Sequence, residues 1–163
     1  MPNKIAVIGL GNTLRRDDAI GILVLGSLLD RCKREKVDYL DYGIASFDLL
    51  HRIKDYEKVL LIDGIEASLP YGELKIFRLF EAEYKIKGSI TSSHELGLKD
   101  LFELCKNFKI KTEIYVAGIQ VKDVLFGEGL SDEIKEALPE ISRKVDEFID
   151  VLRDTRQSCR SKR

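Results

Sequence analysis

The segment KVLLIDG, Lys58–Gly64, constrains the fold more than any other stretch of the chain. Its apolar residues run without a polar alternate and end in an aspartate. A strand lacking alternation is buried on both faces, which is the setting of a parallel sheet covered by helices above and below. KIAVIGL, Lys4–Leu10, is a second such run, VDYLDYG (Val37–Gly43) reads as another strand, and TEIYVAGI, Thr112–Ile119, as the fifth. GELKIFRLF, Gly72–Phe80, alternates instead and follows a Pro70–Gly72 turn, as an edge or antiparallel strand does.

Helical spacing fills the intervals. Asp17 or Asp18 can cap a helix that buries Ile20, Leu23, Val24, Leu28 and Cys32. A short helix spans Ser46–Lys54 with Ser46 as its cap. Another starts at Ser92 or Ser93 and runs to Asn107, burying Leu98, Leu101, Phe102 and Cys105. Ser131 caps a long last helix with Ile134, Leu138, Ile141, Val145, Phe148 and Leu152 in step, and Pro139 is expected to kink or restart it. The alternation predicts an α/β fold of the phosphorylase/hydrolase-like kind. It is a three-layer sandwich with a mostly parallel, twisted five-stranded sheet and helices on both faces. One domain covers residues 1–154, and the basic stretch 155–163 is expected to be a disordered tail.

Charge and cysteine content narrow the function classes. Among 163 residues, 27 basic and 28 acidic side chains leave a net charge of −1, so there is no basic field for nucleic acid. Cys32, Cys105 and Cys159 form neither a metal pair nor a disulfide framework, which fits reduced thiols in a cytoplasm. No signal-peptide core is visible, and no run approaches the ~18 apolar residues of a membrane span.

The loop VIGLGNTLRRDD, Val7–Asp18, resembles a nucleotide-binding turn only at its start. Gly9 and Gly11 fill the first places of the dinucleotide fingerprint, but Leu14 stands where the third glycine belongs. Two carboxylates near the helix start would repel a pyrophosphate that needs free N–H groups there. There is no GK[ST] motif, and no serine or cysteine sits on a nucleophile elbow.

Carboxylates carry the stronger signal. Loops at the carboxyl ends of adjacent strands converge on the crevice of an open α/β sheet. Asp18 follows the first strand, Asp63 ends the third, and His94 in TSSHELG begins the helix after the fourth. Two oxygens and one nitrogen with open positions suit a divalent transition metal such as Ni or Zn, or adventitious Cd, and metal-assisted hydrolysis. Each residue also has a plain structural reading. Asp18 suits a helix cap, Asp63 a turn closure, and His94 a helix-start residue bonded to backbone. Asp17, Asp41 and Asp48 remain alternative ligands, and His51 lies mid-helix as a surface or packing residue.

Four motifs, GLGNTLRRDDAIG (Gly9–Gly21), VLLIDGIEA (Val59–Ala67), SSHELGL (Ser92–Leu98) and GIQVKDVLFGEGLS (Gly118–Ser131), together resemble the maturation endopeptidases of [NiFe] hydrogenases. The resemblance spans the chain apart from its basic tail. It implies a peptidase that removes the C-terminal extension of a hydrogenase large-subunit precursor after nickel insertion, with substrate-held nickel as the recognition element. It implies Asp18, Asp63 and His94 as catalytic and metal-binding residues. Gly11, Asn12, Asp41 and Gly43 are expected along the substrate cleft, with the loop Asp41–Ser46. The implied partners are the precursor and its nickel-insertion chaperones. Ala19 stands where relatives carry glycine, and Val121 where they carry proline, a change expected to loosen that loop. A non-catalytic metal- or nucleotide-binding module on the same scaffold is the competing reading.

Overall fold

The computed structural model describes residues 4–31, 33–44, 47–81, 91–92 and 97–154. Strands β1 (Ile5–Leu10), β2 (Val37–Gly43), β3 (Lys58–Glu66), β4 (Leu74–Arg78), β5 (Thr91–Ser92) and β6 (Glu113–Gln120) form one sheet. Helices are α1 (Ile20–Arg31), α2 (Phe47–Ile53), α3 (Leu98–Asn107) and α4 (Asp132–Asp154), with a 3-10 turn at Arg16–Ala19 preceding α1. The strand order is β2-β1-β3-β6-β4, and the two-residue β5 pairs antiparallel with the end of β3. β1, β2, β3 and β6 are mutually parallel, while β4 runs antiparallel on the edge beside β6. The five expected strands are thus present, and β5 adds a sixth.

The unbroken apolar runs have the expected cause. Successive residues of β1 point to opposite faces, so Ala6, Ile8 and Leu10 join one core with α2 and α3. Ile5 and Val7 join the other core, with α1 and α4. β3 divides likewise, with Val59, Leu61 and Ile65 on the first face and Leu60 and Ile62 on the second. Both faces are dry along the middle of each strand, so polar residues in β3 fall only at its first residue, Lys58, and toward its carboxyl end, at Asp63 and Glu66.

Four local expectations change. Leu23 is exposed and Leu25 is buried instead, because α1 is apolar nearly all round and its inward stripe is not readable from spacing alone. α4 runs unbroken through Pro139, which lies on its exposed side, where the carbonyl left without a donor can be hydrated. Ser92 lies in β5 rather than in a helix, since its backbone completes the end of β3. Asp63 lies inside β3, because that strand continues three residues beyond it. The caps expected at Ser46 and Ser93, and Cys32, Cys159 and the stretch 155–163, lie outside the described residues. No helix among the described residues is long and apolar enough to cross a membrane.

α4 is fastened at its far end by charge. Arg34, between α1 and β2, reaches both oxygens of Asp150 at 2.8 and 3.1 Å and lies 2.8 Å from Asp146 Oδ1. Its hydrogen bonds hold the Asp150 carboxyl below the usual carboxylate range. A depressed carboxylate stabilises fully above its unfolded value, near 4, and that stabilisation is lost as pH falls through the lower folded value. Asp150 is half exposed, so screening limits the effect. Arg34→Ala should cost about 1–2 kcal/mol in urea denaturation at pH 7. The gap should be smaller at about pH 3 than at pH 7, because the carboxylate share of it fades as Asp150 protonates. An equal gap at both pH values would show that lost packing, not charge, explains the cost.

Candidate functional site

The site begins with a close approach. Gly21 lies against the carboxyl ends of β1 and β3, where a Cβ would fall 2.2 Å from Leu10 O and 2.3 Å from Ile62 O. Only glycine lets α1 start this close to the sheet. The helix–strand contact that a third fingerprint glycine would provide is made here by Gly21, seven residues after Leu14, the position at which the nucleotide pattern expects it. Gly11 has φ +153°, and a Cβ there would lie 2.2 Å from Asp18 O. The loop therefore folds back over its own start and delivers Asp18 to the sheet edge.

Asp18 is buried, and its Oδ2 accepts the Asn12 N–H at 3.0 Å. Asp63, also buried, pairs across the sheet with Gly118. Strand pleat directs it to the α2 and α3 face, with Leu61 and Ile65. The next residue, Gly64, faces the other way, and a Cβ on it would lie 3.8 Å from Asp17 O and 3.5 Å from Ile20 Cγ2. The 17–21 segment and the end of β3 thus share one corner, as neighbouring β1 and β3 require. Neither carboxylate is without a partner.

Asp17, expected as a cap or an alternative ligand, does something else. Its Oδ1 accepts the Ser131 N–H at 2.7 Å. Its Oδ2 accepts the N–H groups of Lys122 and Asp123 at 3.0 and 2.8 Å and the Ser131 hydroxyl at 2.8 Å. The backbone joins in, with Asp17 N bonded to Asp123 O, Arg16 N to Gly127 O and Gly127 N to Leu14 O, all at 2.9–3.0 Å. Arg15 Nε donates to Val124 O at 3.0 Å. Ser131, expected to cap α4, donates its hydroxyl to Asp17. The first and last motifs are therefore one structural unit, a relation that no local pattern in either displays.

The GIQ of the last motif has an equally physical role. A Cβ on Gly118 would meet Ile65 Cδ1 at 2.6 Å. Gln120 saturates its amide: Oε1 accepts Ala67 N and Leu69 N, and Nε2 donates to Glu66 Oε1 and the Val121 carbonyl. The turn leaving β3 is locked to the end of β6. Val121 does not loosen this region, because its N–H donates to Ile65 O at 3.1 Å, a bond that proline cannot make.

The remaining candidates are spread along the same edge. Gly11 N donates to Gly43 O at 2.8 Å, so the loop after β2 adjoins the first loop. Gly43 has φ +55°, and its N–H donates to Asp41 Oδ1 at 3.0 Å in an exposed turn. Asn12 braces the loop internally, its Oδ1 accepting Leu14 N. Asp48 accepts the Tyr42 hydroxyl, and His51 is exposed on α2. His94 lies outside the described residues. Ser92, two residues before it, pairs with Ile65, two residues after Asp63. Among the described residues no three His, Cys, Asp or Glu side chains converge as a metal centre.

A cavity of about 520 Å³ lies at the opposite end of β3 and β6, lined by residues including Tyr56, Phe108, Lys109 and Thr112. Burial and its bond to Asp38 push the Tyr56 phenol up to about 12, and the acids lining that space, Asp55 and Glu57, are exposed, unlike buried Asp18 and Asp63.

The model of a family described as hydrogenase maturation protease matches residues 24–147. The hydrogenase 2 maturation protease of Escherichia coli is 33% identical over 101 residues, covering 60% of each chain. The [NiFe] hydrogenase maturation protease HybD of Thermococcus kodakarensis superposes with a TM-score of 0.70 at 28% identity, covering 89% of this chain and 98% of that one. The hydrogenase maturating endopeptidase HybD of E. coli shares the fold, with a TM-score of 0.77 over 93% of both chains at 24% identity.

Replacing Asp17 by alanine strands four donors at once. Asp17→Ala should lower stability by roughly 2–4 kcal/mol in urea denaturation. Amide exchange should lose protection first at Lys122, Asp123 and Ser131. A variant within about 0.5 kcal/mol of the parent would remove Asp17 from this role.

Proposed function

The chain belongs to the hydrogenase maturation protease family, and from that premise we propose that it is the endopeptidase removing the C-terminal extension of a [NiFe]-hydrogenase large-subunit precursor after nickel insertion. The observation that carries this reading is the pair of buried carboxylates, Asp18 and Asp63, at the carboxyl edge of neighbouring strands. Nickel enters as part of the substrate. Two carboxylates and the His94 imidazole are a sparse donor set, suited to completing the coordination of a metal already held by a precursor. Cleavage is then gated by metal insertion, because an empty precursor offers nothing for these three residues to bind.

Hydrolysis adds water across the peptide bond. One of the two aspartates takes a proton from the attacking water and returns it to the leaving amine, while the carbonyl is polarised in the closed corner. Gly11 and Gly43 line the approach for the extended peptide, with Asn12 and Asp41 beside them. In this reading the reaction is cytoplasmic, with nickel-insertion chaperones acting just before it.

Co-expression with a large-subunit precursor, followed by mass spectrometry of its C-terminus, tests the reading. The mature end should form with nickel and the extended end persist without it. Asp18→Asn, Asp63→Asn and His94→Ala should each slow processing by at least ~100-fold while leaving the protein folded. An intact extension with the parent protein and nickel present would overturn the assignment. Full activity in any one variant would remove that residue from the site.

A further inference from the structure

Large apolar side chains that remain in water are unevenly distributed over the surface. Among the described residues the three most exposed are Phe126 at 81%, Leu125 at 71% and Phe47 at 66%. All three stand at the sheet edge that carries Asp18 and Asp63, Phe47 just after β2 and the other two just after β6. Leu14, on the loop after β1 and 58% exposed, lies between them in the strand order. Single exposed hydrophobics are ordinary, but a cluster around one crevice marks a contact surface.

Leu14, Leu125 and Phe126 are not exposed because their loops are slack. Leu14 O accepts Gly127 N, next to Phe126, and Gly43 O, shortly before Phe47, accepts Gly11 N. The Arg15 guanidinium donates to Val124 O and lies 5.9 Å from the Phe126 ring centroid. Leu125 and Phe126 lie between Val124 and Gly127, both of which are bonded to the Asp18 loop, so the backbone that carries them is held at both ends. Their exposure is built in, so the ordering entropy of a binding ridge is already spent.

We propose that Leu14, Phe47, Leu125 and Phe126 form a docking ridge that grips an apolar surface on the folded body of the hydrogenase precursor, apart from the tail to be cut. This rests on the function proposed above. Asp18 and Asp63 are recessed, so only a narrow extended segment reaches them, whereas the ridge stands out on either side and suits a folded protein. Asp41 in β2, Asp48 in α2 and Glu128 after β6 are exposed acids beside the ridge. The exposed bases Arg16 and Lys122 are paired with Asp123 and Glu133, a balance that disfavours an anionic lipid surface. Recognition and chemistry are thereby separated, with the ridge setting the affinity for the precursor and the carboxylates setting the turnover.

The test is processing of the nickel-loaded large-subunit precursor from the same organism by Phe47→Ala and by the double variant Leu125→Ala/Phe126→Ala. The concentration giving half-maximal rate should rise at least ~10-fold in the double variant, with the saturated rate within about twofold of the parent. Val151→Ala, an exposed apolar change on α4, should match the parent. These side chains touch water in the parent, so circular dichroism and melting should be unchanged. An unaltered half-saturating concentration, or a loss confined to the saturated rate, would overturn the ridge while leaving the peptidase reading intact. Light scattering that shows a dimer of the parent dissociating in the double variant, with processing unaffected, would assign the ridge to a second copy and also overturn it. Failure of the parent itself to process the precursor would overturn both.

Discussion

Asp17 accepts hydrogen bonds from groups 105 to 114 residues further along the chain, and the working edge of the sheet depends on that clasp. Without it the loop after β1 would be joined to the loop after β6 through backbone bonds, the Arg15 bond to Val124 O and the exposed Arg16–Asp123 pair, each worth about 1 kcal/mol net or less. A buried carboxylate with four donors gains charge-assisted bonds, and losing it leaves four partly buried donors without their shared acceptor. The clasp carries its neighbours with it. Asp18 is the next residue in the chain, and Arg15 and Arg16 precede it, so fixing Asp17 fixes the carboxylate and the apolar rim together.

The clasp works because the backbone beneath it is pressed close. Gly21 permits α1 to start on the carbonyls of Leu10 and Ile62, and Gly11 lets the loop return over itself to Asp18. Close packing of this kind leaves no slack to absorb a methyl group. The Gln120 amide does for the β3 exit what Asp17 does for the β1 exit, holding the turn that follows Asp63. Each candidate carboxylate therefore sits beside a saturated polar residue that does no chemistry.

This division explains what could be read from the chain alone. β1 and β3 were legible because strands buried on both faces leave an unbroken apolar record, and their adjacency brought Asp18 and Asp63 forward as a pair. Asp17 was not legible as a clasp. An aspartate before a helix looks like a cap, and the donors that claim it come from a distant loop whose register only the folded chain sets. Ser131 does stand at the start of α4, its carbonyl accepting Lys135 N, but the bond of its hydroxyl to Asp17 has no local signal for the same reason. Leu23 and Leu25 were indistinguishable because α1 offers apolar residues on several sides, so packing, not periodicity, chose the buried one. Pro139 could continue the helix because its missing bond falls on the wet side.

Burial of Asp18 and Asp63 bears on why such a site would not cut proteins at large. A carboxylate at an open groove meets any unfolded chain, whereas one recessed in a corner closed by pinned loops meets only a segment presented to it. The energy to bring a peptide there must come from contacts away from the scissile bond. The loops that recess the carboxylates are the ones that hold Phe126 and Leu125 in water, so one set of hydrogen bonds both restricts access and preorganises the surface able to overcome the restriction. Loosening the loops to ease entry would weaken the grip on a partner, and selectivity in this architecture is a consequence of rigidity.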